Sequence, residues 1–177
     1  IARKFQEEGM SLVSIDEFAD IYVINTCSVT ENANKKCDRL VKKIRAINPD
    51  AYTVITGCYA QLKSKELSKN KNIDLIVGSD DKINIPNIIK NKIEDSVITS
   101  KVQDISSFKV SYSTGDRVRS FIKVQDGCDY NCTFCTIPLA RGKSRSARIS
   151  DVIKLTNSLE GQGFKEIVLS GINLGDF

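Results

Sequence analysis

Phe121-Ile122-Lys123-Val124-Gln125-Asp126-Gly127-Cys128-Asp129-Tyr130-Asn131-Cys132-Thr133-Phe134-Cys135 reads as an apolar strand that runs directly into a loop bearing three cysteines at C-x3-C-x2-C spacing. Three thiols so close together cannot all be inert core residues, and one short loop cannot easily pair them as disulfides. The stretch therefore reads as a metal loop. A closed structural zinc site asks for four ligands, of which histidine is a common one, and this chain contains no histidine. Iron–sulfur clusters are held by cysteine thiolates, and a cubane with three protein ligands leaves one iron open to a small molecule.

Working outward, the loop sits inside a β–α–β pattern. Arg119 to Val124 is the first strand, Ser150 to Leu159 a helix, and Glu166 to Leu169 a second strand. Ser150 followed by Asp151 suits a helix start, with a hydroxyl cap and an acid near the positive end of the dipole. The expected ligand edge of such a unit lies past the carboxyl ends of its strands, where the cysteine loop and Ser170-Gly171 both fall. Residues 101–118 are polar and without periodicity, with Ser106-Ser107, Ser111, Ser113 and Thr114-Gly115-Asp116, and read as a connector between two domains.

Upstream, residues 1–100 alternate apolar runs with helical stripes, the pattern of a parallel sheet with helices on its faces. Residues 1–9 read as a helix end stopped at Gly9. Ser11 to Ile15 reads as a short strand. Ile21-Tyr22-Val23-Ile24, Ala51 to Thr56 and Ile73 to Gly78 read as strands covered on both faces. Val97-Ile98 closes the series. Helices are expected over 31–47, at Leu62 to Ser68, and at Ile83 to Ile93, where Pro86 is tolerated near the start. The first has an apolar stripe of Ala33, Cys37, Leu40, Ile44 and Ile47. Cys37 on that stripe is explained as a small buried hydrophobe. The opposite, basic face, with Lys35, Lys36, Arg39, Lys42, Lys43 and Arg45, is either simply solvated or a binding site. Cys27 and Cys58 each follow a strand at the start of a connection to a helix, which places both at the same edge of a parallel sheet. They are either core residues at strand ends or ligands of a common site.

The spacing C-x3-C-x2-C with an aromatic residue before the last cysteine resembles the radical S-adenosylmethionine (SAM) superfamily. Ile137-Pro138-Leu139-Ala140-Arg141-Gly142 narrows the resemblance to the methylthiotransferases. Gln125-Asp126-Gly127-Cys128 and Glu166-Ile167-Val168-Leu169-Ser170-Gly171-Ile172-Asn173-Leu174-Gly175 look like the branch that acts on threonylcarbamoyladenosine in tRNA. The resemblance covers nearly the whole chain. It implies an α/β fold: an N-terminal parallel-sheet methylthiotransferase domain over 1–100, then the first βαβ unit of a radical SAM (β/α) barrel over 119–177. One unit cannot close a barrel, so the resemblance implies a fragment, expected to be catalytically silent and poorly soluble by itself.

The resemblance further implies two 4Fe–4S clusters and SAM as cofactors. Cys128, Cys132 and Cys135 would ligate the first cluster, whose open iron takes SAM and whose electron cleaves it to a 5′-deoxyadenosyl radical. Cys27, by the match of Asn25-Thr26-Cys27, and Cys58, by the match of Gly57-Cys58-Tyr59-Ala60-Gln61, would be two of three ligands of the second cluster. The family's first cysteine lies on an earlier loop, ahead of Ile1. That cluster, the resemblance implies, would stand beside the radical to serve methylthio transfer to C2 of the modified adenosine. Phe134 would lie near the adenine, or else pack beneath the loop. Ser170 and Gly171 would border the methionine portion, or else form an ordinary strand-end turn. Arg141, Lys143, Arg145 and Arg148 are a solvated charge run or contacts to phosphates of a tRNA anticodon loop, whose unstacked bases are accessible. The family pattern places an arginine directly after Arg145-Ser146, where this chain has Ala147 and, one later, Arg148. An electron donor of the flavodoxin or ferredoxin type is also implied. No catalytic side chain is assigned. Two other functions fit the same residues: methylthiolation of an aspartate in a ribosomal protein, and a non-catalytic iron–sulfur or zinc protein.

Composition agrees with one or two ordinary globular domains: 177 residues, 41% hydrophobic, 27% charged, net charge +4. The mild charge does not by itself argue for nucleic acid. Six cysteines without a secretory signal favour a reducing, cytoplasmic setting and metal or redox chemistry. No apolar run approaches the roughly 18 residues of a membrane helix.

Overall fold

A computed structural model describes residues 1–27, 31–91, 93–105, 108, 110–113 and 118–177, without the side chains of residues 31 and 32. The chain divides into two compact units, Ile1–Lys101 and Val102–Phe177.

The first unit is a four-stranded, all-parallel sheet of β1 (Ile21–Thr26), β2 (Tyr52–Gly57), β3 (Leu75–Val77) and β4 (Val97–Ile98), in that spatial order. Between the strands lie α2 (Glu31–Ile47), α3 (Cys58–Leu62), α4 (Ser64–Leu67) and α5 (Ile85–Lys90), with α1 (Ala2–Glu7) at the start. Successive strand residues point to opposite faces, and both faces are covered. Tyr22, Ile24, Ile55 and Ile76 pack with Cys37, Val41 and Ile44 of α2. Val54, Leu75 and Val77 pack with Ile85 and Ile88 of α5 and, at the margin, Phe5 of α1. Coverage on both faces explains why β2 and β3 are continuous apolar runs. β1, at the sheet edge, buries only Tyr22 and Ile24.

Four details depart from the sequence expectation. The helix expected at Leu62 to Ser68 is replaced by two short ones, α3 ending at Leu62 and α4 over Ser64–Leu67. The strand expected over Ser11–Ile15 does not form. Leu12 is 71% exposed and the segment joins no ladder among the described residues, because a strand needs a partner and periodicity alone supplies none. Val41, outside the expected stripe of α2, is fully buried at its centre, while Leu40 and Ile47 are only half-buried. Arg45, counted with the basic face, is a tie. Its guanidinium donates to the carbonyls of Pro49, Ala51 and Asn72 and pairs with Asp74 at 2.8 Å, and Asp74 in turn accepts from the Thr53 amide.

The second unit holds β5 (Ser111–Tyr112), β6 (Arg119–Lys123) and β9 (Glu166–Ser170) in the order β5-β6-β9. β5 runs antiparallel and β9 parallel to β6, and β5 lies inside the stretch read as a connector. A separate two-stranded ribbon pairs β7 (Gln125–Asp126) with β8 (Arg145–Ser146). α6 (Ile137–Arg141) follows the cysteine loop, and α7 (Ile149–Gly161) crosses from β8 to β9. Ile122 and Val124 pack against Val152 and Leu159 of α7, with Ala147 at the margin. The β6–α7–β9 unit is therefore as expected, but its helix begins earlier. Arg148, in an extended conformation, is the N-cap, and Ser150 lies inside the first turn without capping it. Asp151 does occupy the first turn, where its charge opposes the dipole.

Candidate functional site

Strand register places the first pair of cysteines. Thr26 pairs with Gly57 at the end of the β1–β2 ladder, so Cys27 and Cys58 leave the sheet side by side at one carboxyl edge. In open α/β sheets that edge is where ligands bind. The two are not equivalent: Cys27 is exposed, whereas Cys58, the first residue of α3, is buried. Cys37 is also buried, away from this edge in the α2 core, and burial, with a smaller contribution from Asp38, pushes its thiol up to about 11. It is a core residue.

In the second unit Cys128, Cys132 and Cys135 follow β7 on a loop beyond the carboxyl end of β6. Cys128 is half-buried, and the other two are exposed. The loop is closed at its stem. The Cys128 amide donates to the Gly142 carbonyl at 3.1 Å, the Ser144 amide donates to Asp129 at 3.1 Å, and the Cys135 amide donates back to the Cys132 carbonyl at 3.0 Å. Gly127 makes the closure possible. Its φ is +74°, and a β-carbon there would drive into the Lys143 carbonyl oxygen, so the residue needs both left-handed backbone and empty space.

The stem also contains a buried carboxylate that the sequence did not mark. Asp126 pairs with Lys123 at 2.8 Å and Arg141 at 2.9 Å, and it accepts from the Gly127 amide. Burial alone would raise its pKa, but the hydrogen bonds and charges of Lys123 and Arg141 outweigh burial and hold the carboxyl well below the usual range. Beside it, Gln125 is fully buried. Two buried polar residues directly after an apolar strand were the available signal, since such groups stay buried only when bonded.

The basic segment proves heterogeneous. Arg141 is committed to Asp126, and Arg145 donates to the carbonyls of Arg141 and Lys143, both at 2.7 Å, across the end of α6. Lys143 and Arg148 are exposed. Ala147 lines the α7 core and its amide donates to Val124, so the position where the family pattern has arginine faces the core here, and Arg148 carries the exposed cation. Phe134 is 97% exposed, so it does not pack beneath the loop. The Ser170 hydroxyl donates to the Ile122 carbonyl. Gly171 has a packing reason of its own: a β-carbon would lie 2.9 Å from the β-carbon of Gln125 and 3.0 Å from its Oε1.

No disulfide links any of the six cysteines among the described residues. Among the described residues no group of three or more histidine, cysteine or carboxylate side chains converges to hold a single metal ion. A mononuclear zinc centre needs ligands at about 2.3 Å from one point, whereas a cubane spreads its ligands over separate irons. The donor set of soft thiols, three on one loop with no histidine, fits an iron–sulfur cluster by its chemistry. No helix among the described residues is long and apolar enough to cross a membrane.

Residues 1–78 match the family described as "Uncharacterized protein family UPF0004". The chain is 38% identical over 184 residues to the threonylcarbamoyladenosine tRNA methylthiotransferase MtaB of Aquifex aeolicus, covering 100% of this chain and 44% of the relative. It is 36% identical over 178 residues to MtaB of Bacillus subtilis, covering 98% of this chain and 40% of that protein. A tRNA-2-methylthio-N(6)-dimethylallyladenosine synthase of Christiangramia forsetii is 33% identical over 186 residues, covering 100% of this chain and 38% of the relative. The chain thus spans about two fifths of the length of the curated relatives it matches. The chain, with a parallel sheet in its first unit and a cysteine loop on a βαβ unit in its second, is thus similar over 98–100% of its length to tRNA methylthiotransferases.

Proposed function

We propose that the protein to which this chain belongs is a tRNA methylthiotransferase that places a methylthio group on C2 of N6-threonylcarbamoyladenosine, beside the anticodon. The observation that carries the reading is the loop of Cys128, Cys132 and Cys135, strapped at its stem and set beyond the carboxyl end of β6 within a βαβ unit. The MtaB relatives favour threonylcarbamoyladenosine over dimethylallyladenosine as the base, at 36–38% against 33% identity. The βαβ unit is read as the opening of a radical SAM barrel, with the cysteine edge as its active-site end.

In this reading Cys128, Cys132 and Cys135 hold one 4Fe–4S cluster, and Cys27 and Cys58 contribute to a second. When bound, the first cluster and SAM together supply a one-electron cleavage that yields a radical able to break an unreactive C–H bond. The protein supplies orientation and exclusion of water. The exposed Phe134 ring is placed to cover an adenine, and the Ser170–Gly171 strand end borders the same edge. Lys143 and Arg148 are the exposed cations that meet tRNA phosphates, while Arg141 and Arg145 hold the loop that carries the thiols. Electrons come from a flavodoxin- or ferredoxin-type donor, and the substrate places the reaction in the cytoplasm.

Full-length protein, reconstituted anaerobically, should convert threonylcarbamoyladenosine to its 2-methylthio derivative in tRNA, read by mass spectrometry of digested nucleosides. Modification of dimethylallyladenosine instead would reassign the base. Modification of a ribosomal-protein aspartate with none on tRNA would overturn the proposal.

A further inference from the structure

Gln125 bonds its near neighbours Asp126 and Gly127 and also three groups far away in sequence, Ser144, Ile172 and Asn173. Its Oε1 accepts from the backbone amides of Ile172 at 2.8 Å and Asn173 at 2.9 Å. Its Nε2 lies 2.8 Å from the Gly127 carbonyl, 2.9 Å from the Ser144 hydroxyl and 3.2 Å from the Asp126 carbonyl. The orientation of the amide is unambiguous, because two N–H groups face one atom and carbonyls face the other. The side chain is fully buried, so it is held in one place and each lost bond would leave a desolvated partner. Gly171 completes the arrangement: only a residue without a β-carbon lets the turn after β9 close onto Gln125.

From this geometry we infer that Gln125 is a positioning residue that fixes the turn Gly171–Asn173 against the first residue of the cysteine loop, presetting the gap in which SAM is held. The inference rests on the proposed function, since it assigns SAM to this edge. The amide spans from the loop stem to the turn: its carbonyl end holds the Ile172 and Asn173 amides, and its NH2 end holds the Gly127 carbonyl and the Ser144 hydroxyl. A site that must place a small ligand between two loops gains affinity when both are held before binding, because the ordering cost is already met.

The test uses full-length, reconstituted protein and the variants Q125M and Q125E. Iron content and visible absorption report the cluster, equilibrium dialysis reports the SAM dissociation constant, and amide hydrogen exchange at Ile172 and Asn173 reports the turn. Q125M should keep its iron, exchange the Ile172 and Asn173 amides at least tenfold faster, and bind SAM at least tenfold more weakly. Q125E should recover SAM affinity as pH falls, since a neutral carboxyl again offers one acceptor and one donor, a profile that a loss of bulk packing would not produce. If Q125M does not fold, the pH dependence of Q125E decides by itself. Unchanged SAM affinity in Q125M with freely exchanging turn amides would overturn the inference, as would a pH-independent defect in Q125E. Failure of the wild-type protein to retain iron or bind SAM would instead sink the proposed function, and this inference with it.

Discussion

Asn in place of Asp126 would keep the shape of the loop stem and an acceptor for the Gly127 amide, while removing the charge shared by Lys123 and Arg141. The two contacts, at 2.8 and 2.9 Å, are charge-assisted, and such bonds are worth about 1.5–3 kcal/mol each. Lys123 and Arg141 keep 25% of their side-chain surface in solvent, so both recover hydration and the low end applies. The expected cost is about 3 kcal/mol, on the order of 100-fold in the equilibrium for opening the loop stem. Native-state hydrogen exchange of the Cys128 amide, bonded to Gly142 across that stem, measures this directly as a protection factor in wild type and D126N. The sign with pH follows from a folded pKa depressed below the unfolded carboxyl value of about 3.9. The contribution is whole above that value and is lost as pH falls through the folded one. The gap between wild type and D126N should therefore stay constant from about pH 8 to 5 and narrow only below about pH 4. A gap under about tenfold at pH 7, or one that narrows between pH 8 and 5, would show that the carboxylate does not hold the stem.

Further outcomes concern the cysteines and the basic segment. Replacing Cys128, Cys132 or Cys135 singly with alanine in full-length protein should abolish reductive SAM cleavage and remove about one cubane of iron. C37A should retain both at a packing cost of about 1 kcal/mol, and in metal-free protein Cys37 should alkylate far more slowly at pH 8 than Cys132, because its buried thiol titrates near 11; comparable alkylation rates would contradict its burial. The charge-reversal variants K143E and R148E should each flatten the salt dependence of tRNA binding by a log–log slope of roughly 0.7–0.9. R141E should instead lower stability, since it puts a carboxylate beside Asp126, and an unchanged slope in both exposed variants would return Lys143 and Arg148 to solvent.

What the sequence determined by itself was the set of elements with the strongest local pattern. Ladders of apolar residues located β1, β2, β3, β6 and β9, helical spacing located α2 and α7, and the alternation of the two implied a parallel sheet. The cysteine spacing singled out the candidate loop without any geometry, because three thiols on eight residues leave few other uses. The shared edge of Cys27 and Cys58 was legible for the same reason, since each follows its strand by one residue and parallel strands point the same way. Only the tertiary structure decided which partner each polar group takes. Asp126 and Arg141 are 15 residues apart and Gln125 and Ile172 are 47 apart, and no periodicity encodes such a pairing. Arg141, Lys143, Arg145 and Arg148 look alike in sequence, yet the fold turns the first and third inward and leaves the other two in water. Ser11–Ile15 carries a strand's composition and forms none, because a strand is stabilised by a neighbour and propensity is only a weak prior. Local chemistry thus singled out the candidate cysteines, and long-range hydrogen bonding and charge compensation determined what holds their loop in place.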